Sequence, residues 1–512
     1  MAALLATGCL LPPVGPAGPV AHAAGPPALP ALGDGAALTV AAERRLGDSI
    51  ARDLYRDPDY LDDPMLAEYL QAVWQPLLSA ARARGDVPPE LAERLAWEVM
   101  VARDKRVNAF ALPGGYLGVY LGLLAVTETP QELASVLAHE LSHVSQRHIA
   151  RMLGRQDQTA PWLMGAMILA MLAASANTEV ASAALAGSQA VAMQSQLKFS
   201  RDMEREADRV GFGVLSDAGF DPLGFVTMFD KLQQAARLND TGAFPYLRSH
   251  PLTGERLADM QARLPQADTG ARAEVLTEAR SGRQPVSAAW HALMAARARV
   301  LADNSPDRWR AWLQHGQSAT ATPADLYAAA LSAHRLRQHD QALALAQRLR
   351  SQASADTRWP ADALLLELWS APGAAQAAPA AVSAAVTALR EAALARGERS
   401  GVLLGAQAAW AAGQPAAALP HLQSWVVSHP RDAQAWQLQA QLQAAQGQRL
   451  RAVRSEGEAR VAQLDYAGAV ERFKAAQSLP EADRAADPIE LAIVDARLRA
   501  VEALLRESLR PD

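Results

Sequence analysis

The sequence predicts a mostly helical α+β domain with a small antiparallel sheet, followed by an all-α array of helices. Three observations carry that reading. Between residues 97 and 120, apolar residues alternate with a period of two. From Pro130 onward they recur at helical spacing behind a strong helix start. In the C-terminal half no strand pattern appears, and a set of small and apolar residues returns after 34 residues.

With 512 residues, half of them hydrophobic, the chain has material for two or three domains. A net charge of -5 argues against nucleic acid as a partner. The single cysteine, Cys9, excludes a disulfide framework and a cysteine-based metal site.

Residues 1–24 are apolar, small and Pro/Gly-rich, without an acidic residue, and Ala21-His22-Ala23 resembles a cleavage site. They read as a secretory signal peptide, although no Lys or Arg precedes the apolar core. Leu5 to Cys9 offers a second reading, a lipid-attachment box. Residues 40–84 read as helical. Trp97, Val99 and Val101 begin the first strand, Arg103 to Arg106 is a charged turn, and Val107 to Leu112 is the second strand. Pro113-Gly114-Gly115 turns the chain into a third, Tyr116 to Tyr120.

The stretch that follows carries chemistry. Thr129, Pro130 and Glu132 supply an N-cap, a first-position proline and a capping-box carboxylate. Leu133, Val136, Leu137, Val144 and Ile149 give the helix a face to bury, and the pattern runs to about Leu153. Within it stands His139-Glu140-Leu141-Ser142-His143, an H-E-x-x-H. Residues four apart share one helix face, so two imidazoles and a carboxylate lie together, as a hydrolytic zinc site requires. Two ligands do not hold a zinc, so a third must come from elsewhere. A second helix beginning near Phe199 offers Glu204 and Asp208 on one face. A His2Glu site takes its third ligand from such a carboxylate, and Asp208 is placed to fix the tautomer of a ligand imidazole. Glu206 points elsewhere. Between the two helices, residues 161–174 are apolar and uncharged, shorter than the roughly 20 residues of a membrane span. They read either as a helix covering the site or touching a membrane surface, or as a buried core helix.

These linked motifs resemble the prenyl-protease-like gluzincin metallopeptidases: His139-Glu140-x-x-His143, then Ser200-Arg201-x-x-Glu204-x-x-x-Asp208. Asn108-Ala109-Phe110 within 108–115 is similar to the family's substrate-binding edge strand. Ser249-His250-Pro251-Leu252-Thr253 looks like a signature of its periplasmic members with a tetratricopeptide tail. The resemblance implies a zincin-like domain over residues 35–270 and one Zn2+ held by His139, His143 and Glu204. It also implies Glu140 and Asp208 as catalytic residues and His250 as a fourth, regulatory ligand at rest. Read from the residues alone, His250 is a loop histidine held extended by the proline after it.

Residues 271–286 read as a linker and 287–510 as tetratricopeptide-like repeats. Gly413, Ala418, Leu422 and Pro430 return as Gly447, Ala452 and Glu456, the last departing from the pattern. Asp465 to Phe473 resembles the second helix of such a repeat, Tyr327 to Leu345 is a further candidate, and Ser370 to Val382 interrupts the series. Such a solenoid offers a concave surface for protein partners. Two functions follow from the resemblance. The first is a periplasmic zinc endopeptidase acting on unfolded or misassembled outer-membrane proteins, docked through its repeats to the β-barrel assembly machinery. The second is a chaperone or scaffold with a blocked zinc site.

Overall fold

The computed structural model describes residues 38–154, 200–237, 244–264 and 285–509. The leader, the 161–174 stretch and nearly all of the 271–286 linker lie outside the described residues.

The first helix, α1 (Val40–Tyr55), is capped by Thr39, and α2 (Pro64–Arg84) by Asp63 with Pro64 at its first position. A short α3 (Pro89–Arg94) leads into the sheet. Its strands are β1 (Glu98–Ala102), β2 (Ala109–Leu112) and β3 (Tyr116–Tyr120), in the order β1-β3-β2. The sheet is therefore mixed rather than antiparallel: β2 and β3 form an antiparallel hairpin, while β1 runs parallel to β3. The cause lies in the charged segment after β1. Gly122 N–H donates to Asp104 C=O, and a Cβ at Gly122 would collide with the carbonyls of Lys105 and Arg106. Pinned there, the segment carries the chain past the end of β3 to the far edge. The hairpin through Gly114 and Gly115, both at positive φ, then brings β3 back into the middle.

After α4 (Leu121–Val126) comes α5 (Pro130–Ser145), capped by Thr129 and buried along its whole length. It does not run to Leu153. It stops at Gln146, Arg147 adopts φ 52°, and a separate α6 (His148–Gly154) begins. No proline or glycine stands at the break, so the pattern gave no stop signal. Helices α7 (Arg201–Asp217), α8 (Leu223–Arg237), α9 (Tyr246–Ser249) and α10 (Gly254–Arg263) complete the domain.

From Ala288 the chain is helical to Ser508. Successive helices pack as antiparallel neighbours through Ala and Leu: the Arg399–Ala411 and Pro415–Ser428 helices meet at Gly413, and the Ala433–Ala445 and Arg449–Ala462 helices at Gly447. Both glycines hold positive φ, two residues beyond a helix end and 34 residues apart. Arg337 and Leu464 hold the same conformation at the same place between their own helices. The array folds back on the stretch 56–68. Arg297 is buried on Asp63, with Glu367 beside it; Arg399 reaches Asp62 at 2.8 Å; Arg56 reaches Asp465 at 2.6 Å. One apolar cluster runs continuously from Val40 to Ala408. Among the described residues, no helix is long and apolar enough to cross a membrane.

Candidate metal centre

Helices α5 and α7 lie side by side because small residues face the contact. A Cβ on Gly211 would stand 3.1 Å from the Ala138 backbone, so the helices meet almost backbone to backbone. Their shared faces present His139, Glu140 and His143 from one side, Glu204 and Asp208 from the other, all buried. His250 enters from the C-terminal end of α9 at φ -120° and ψ 79°, and Pro251 follows it.

His139, His143, Glu204 and His250 each bring a donor atom to one point, all within 4.8 Å of one another. His139 Nε2 lies 2.9 Å from His143 Nε2 and 3.3 Å from His250 Nδ1. Glu204 Oε1 lies 3.1 Å from His250 Nδ1 and 3.5 Å from His143 Nε2, and its Oε2 lies 3.6 Å from His139 Nε2. A tetrahedral zinc with bonds of about 2.0–2.1 Å separates its donors by roughly 3.3–3.4 Å. The donor set and its spacing fit that ion.

Glu140 stands beside the cluster, fully buried. Its carboxylate accepts no hydrogen bond from the described residues, and Oε1 lies 3.5 Å from His250 Nε2. Burying a carboxylate without hydrogen bonds is costly, which marks the residue as serving something other than stability.

Behind the cluster, Asp208 Oδ1 lies 2.9 Å from His139 Nδ1, which leaves Nε2 facing the centre. Asp208 is in turn gripped by Arg256, whose Nε and Nη2 donate at 2.6 and 2.7 Å, while Nη1 lies 2.7 Å from Glu204. Burial pulls the His139 imidazole down, but the bonds to Asp208 and Glu204 reverse this and raise its pKa to about 9. Burial and the neighbouring His139 and His250 push His143 the other way, well below its ordinary value, towards the neutral form that ligates metal. Burial raises Glu204, and His250 and His139 outweigh it, holding the carboxyl far below the usual carboxylate range.

Of the expected strand residues, Ala109 and Phe110 lie on β2, the outer strand of the sheet next to α5, and Asn108 stands just before it. Tyr120 N–H donates to Asn108 C=O at 3.0 Å, so alternation turns the backbone groups of Ala109 and Ala111 away from β3. One position earlier, Val107 C=O accepts Tyr246 N–H at 3.3 Å, and the Tyr246 ring stacks on His250 at 4.6 Å. The segment carrying His250 is thus fastened to the end of that same edge.

Sequence reasoning missed Arg256 and His148. An arginine in the first turn of α10 opposes the helix dipole, a signal that it answers an acidic partner. His148, also buried, lies 2.9 Å from His143 Nδ1 and contacts Glu206 on its other side.

Two histidines four apart on one helix and a glutamate on the next, with a buried carboxylate beside them, are the arrangement that metallopeptidase domains of the H-E-x-x-H type use. Residues 64–264 match the model of peptidase family M48. The chain is similar to the beta-barrel assembly-enhancing protease of Escherichia coli, with 34% identity over 46% of this chain and 47% of that protein. Its similarity to the putative beta-barrel assembly-enhancing protease of Vibrio cholerae is 34% over 46% of this chain and 48% of that one. The matched part spans about half the length of these two relatives. With the beta-barrel assembly-enhancing protease of Yersinia pestis, identity is 29% over 82% of this chain and 81% of the relative.

Proposed function

We propose that the chain is a periplasmic zinc endopeptidase that cleaves misfolded or misassembled outer-membrane proteins. The observation that carries the reading is the convergence of His139, His143, Glu204 and His250, with donor atoms all within 4.8 Å of one another, beside the Glu140 carboxylate, which accepts no hydrogen bond from the described residues. His139, His143 and Glu204 hold the metal, which when bound supplies Lewis acidity to water and to the scissile carbonyl. Glu140 takes the proton of the attacking water as general base and passes it to the leaving amine. Asp208, itself anchored by Arg256, keeps the His139 tautomer fixed. The substrate lies extended along Asn108, Ala109 and Phe110, bonding to the outward backbone groups of β2, so recognition reads backbone more than side chain. That suits unfolded segments.

His250 would hold the metal at the position the attacking water needs, and its segment is tied to Val107 at the end of the strand the substrate would use. The resting state is therefore self-inhibited, and release of the α9 segment opens both places together. The same observation supports the second reading, a chaperone or scaffold whose metal site stays blocked. The helical array, read as tetratricopeptide repeats, docks partners such as the β-barrel assembly machinery. The names of the relatives support a link to β-barrel assembly, and the periplasmic location is proposed on that link.

The experiment is digestion of a urea-unfolded outer-membrane β-barrel protein by zinc-loaded chain, beside the same barrel folded in detergent. Fragments from the unfolded form alone, abolished by a zinc chelator, are expected. Equal cutting of both forms would contradict the proposed substrate class.

A further inference from the structure

The break between α5 and α6 has a consequence for the metal centre. On an unbroken helix His148, five residues beyond His143, would sit about 140° further round the axis and face away from it. Instead Arg147 takes a left-handed conformation, at φ 52°, that L-residues other than glycine seldom adopt. Such a conformation persists where the surroundings impose it. Here the surroundings are visible: Arg147 Nε donates to the buried Glu43 at 3.0 Å, and Nη2 donates to Leu38 C=O. The turn swings His148 back under α5. Its Nδ1 comes to 2.9 Å from His143 Nδ1, with the rings 4.8 Å apart and close to perpendicular. On its far side, Nε2 lies 3.1 Å from Glu206 Oε2, and Arg151 Nη1 holds the same oxygen at 3.0 Å.

We propose that His148 is a positioning residue for His143, turned into place by the Arg147 kink and anchored by Glu206. The inference rests on the reading of His143 as a zinc ligand. With Nε2 of His143 turned to the cluster, its proton resides on Nδ1 and is donated to His148 Nδ1. His148 must then carry its own proton on Nε2, and it donates that proton to the Glu206 carboxylate. The chain of bonds allows one arrangement only. It gives His143 the counterpart of what Asp208 gives His139: a fixed ring and a fixed tautomer. It also gives Glu206, which lies off the Glu204–Asp208 face, a task within the site.

Zinc affinity, measured by chelator competition on purified full-length chain, tests this without reference to cleavage. His148→Leu keeps the bulk and removes the acceptor, so affinity falls about ten- to hundredfold. His148→Asn places an amide oxygen where Nδ1 stood and keeps most of the affinity, and Glu206→Gln lowers it less than His148→Leu does. Thermal melting of the apo proteins shows whether each variant is folded. Undiminished zinc affinity in a folded His148→Leu overturns the proposal. Should that variant fail to fold, the imidazole 15N spectrum of zinc-loaded wild type decides. A proton on His148 Nε2 with Nδ1 bare supports the arrangement, and the reverse tautomer overturns it. A wild type that takes up no zinc removes the metal reading itself, and this proposal with it.

Discussion

The contact between α5 and α7 and the helical array beyond Ala288 use buried groups in opposite ways. Between α5 and α7, His139, Glu140, His143, Glu204, Asp208 and Arg256 are all buried, and each is defined by the atom it offers to a neighbour. In the array the buried residues are mostly Ala and Leu, and ion pairs lie where it meets the stretch 56–68 and between its own helices, as Arg497 on Glu458. At the centre, residue identity is the function, so exchanging an atom type changes the chemistry. In the array, shape is conserved along the chain while identity drifts: Arg337, Gly413, Gly447 and Leu464 all make one turn. Substitutions at the centre therefore show as lost activity, and those in the array as small changes in stability.

The largest test of that contrast is Glu140→Gln. Removing a general base lowers cleavage about 10²–10⁴-fold. Zinc content stays at wild-type level and the melting temperature holds or rises, because the buried carboxylate makes no hydrogen bond that the fold needs. A matching fall in stability would erase the contrast.

Next come two arginines. Arg256→Met leaves Asp208 and Glu204 buried without their cation, which costs about 3–5 kcal/mol and weakens zinc binding. Arg399→Met in the array severs Asp62 and Asp432 at a partly exposed site, for about 1–2 kcal/mol, with cleavage of small peptides unchanged. Urea unfolding of the two variants measures both costs, and equal costs would break the comparison.

The smallest effects belong to the turns. A Cβ at Gly447 meets nothing within 4 Å, so Gly447→Ala costs only the left-handed backbone penalty, about 1–2 kcal/mol. Arg337→Gly relieves that same penalty at an exposed position and leaves stability equal or up to about 1 kcal/mol higher. Thermal melting separates the two signs.

The same contrast explains what could be read from the sequence. H-E-x-x-H was legible because a zinc hydrolase needs those residues at that spacing, and the caps around Thr129 placed them on a helix. Glu204 and Asp208 came from their spacing of four together with the family resemblance. Arg256 and His148 were hidden because each meets the cluster through a contact formed only in three dimensions. The sheet's strands were legible from their period, but period says nothing of partners, and the pinning of Asp104 to Gly122 decided that β1 lies parallel to β3. In the array, Gly413 and Gly447 announced their turns. Arg337 and Leu464 adopt the same conformation with side chains that carry no such signal, so the repeat faded where its geometry did not.

The account stands most directly on one measurement: hydrolysis of unfolded casein by zinc-loaded wild type, Glu140→Gln and His250→Ala side by side. It predicts slow cleavage by wild type, none by Glu140→Gln, and faster cleavage by His250→Ala, whose fourth corner is open. Absence of cleavage by all three, with zinc bound in each, would contradict a hydrolytic centre and leave the blocked scaffold in its place.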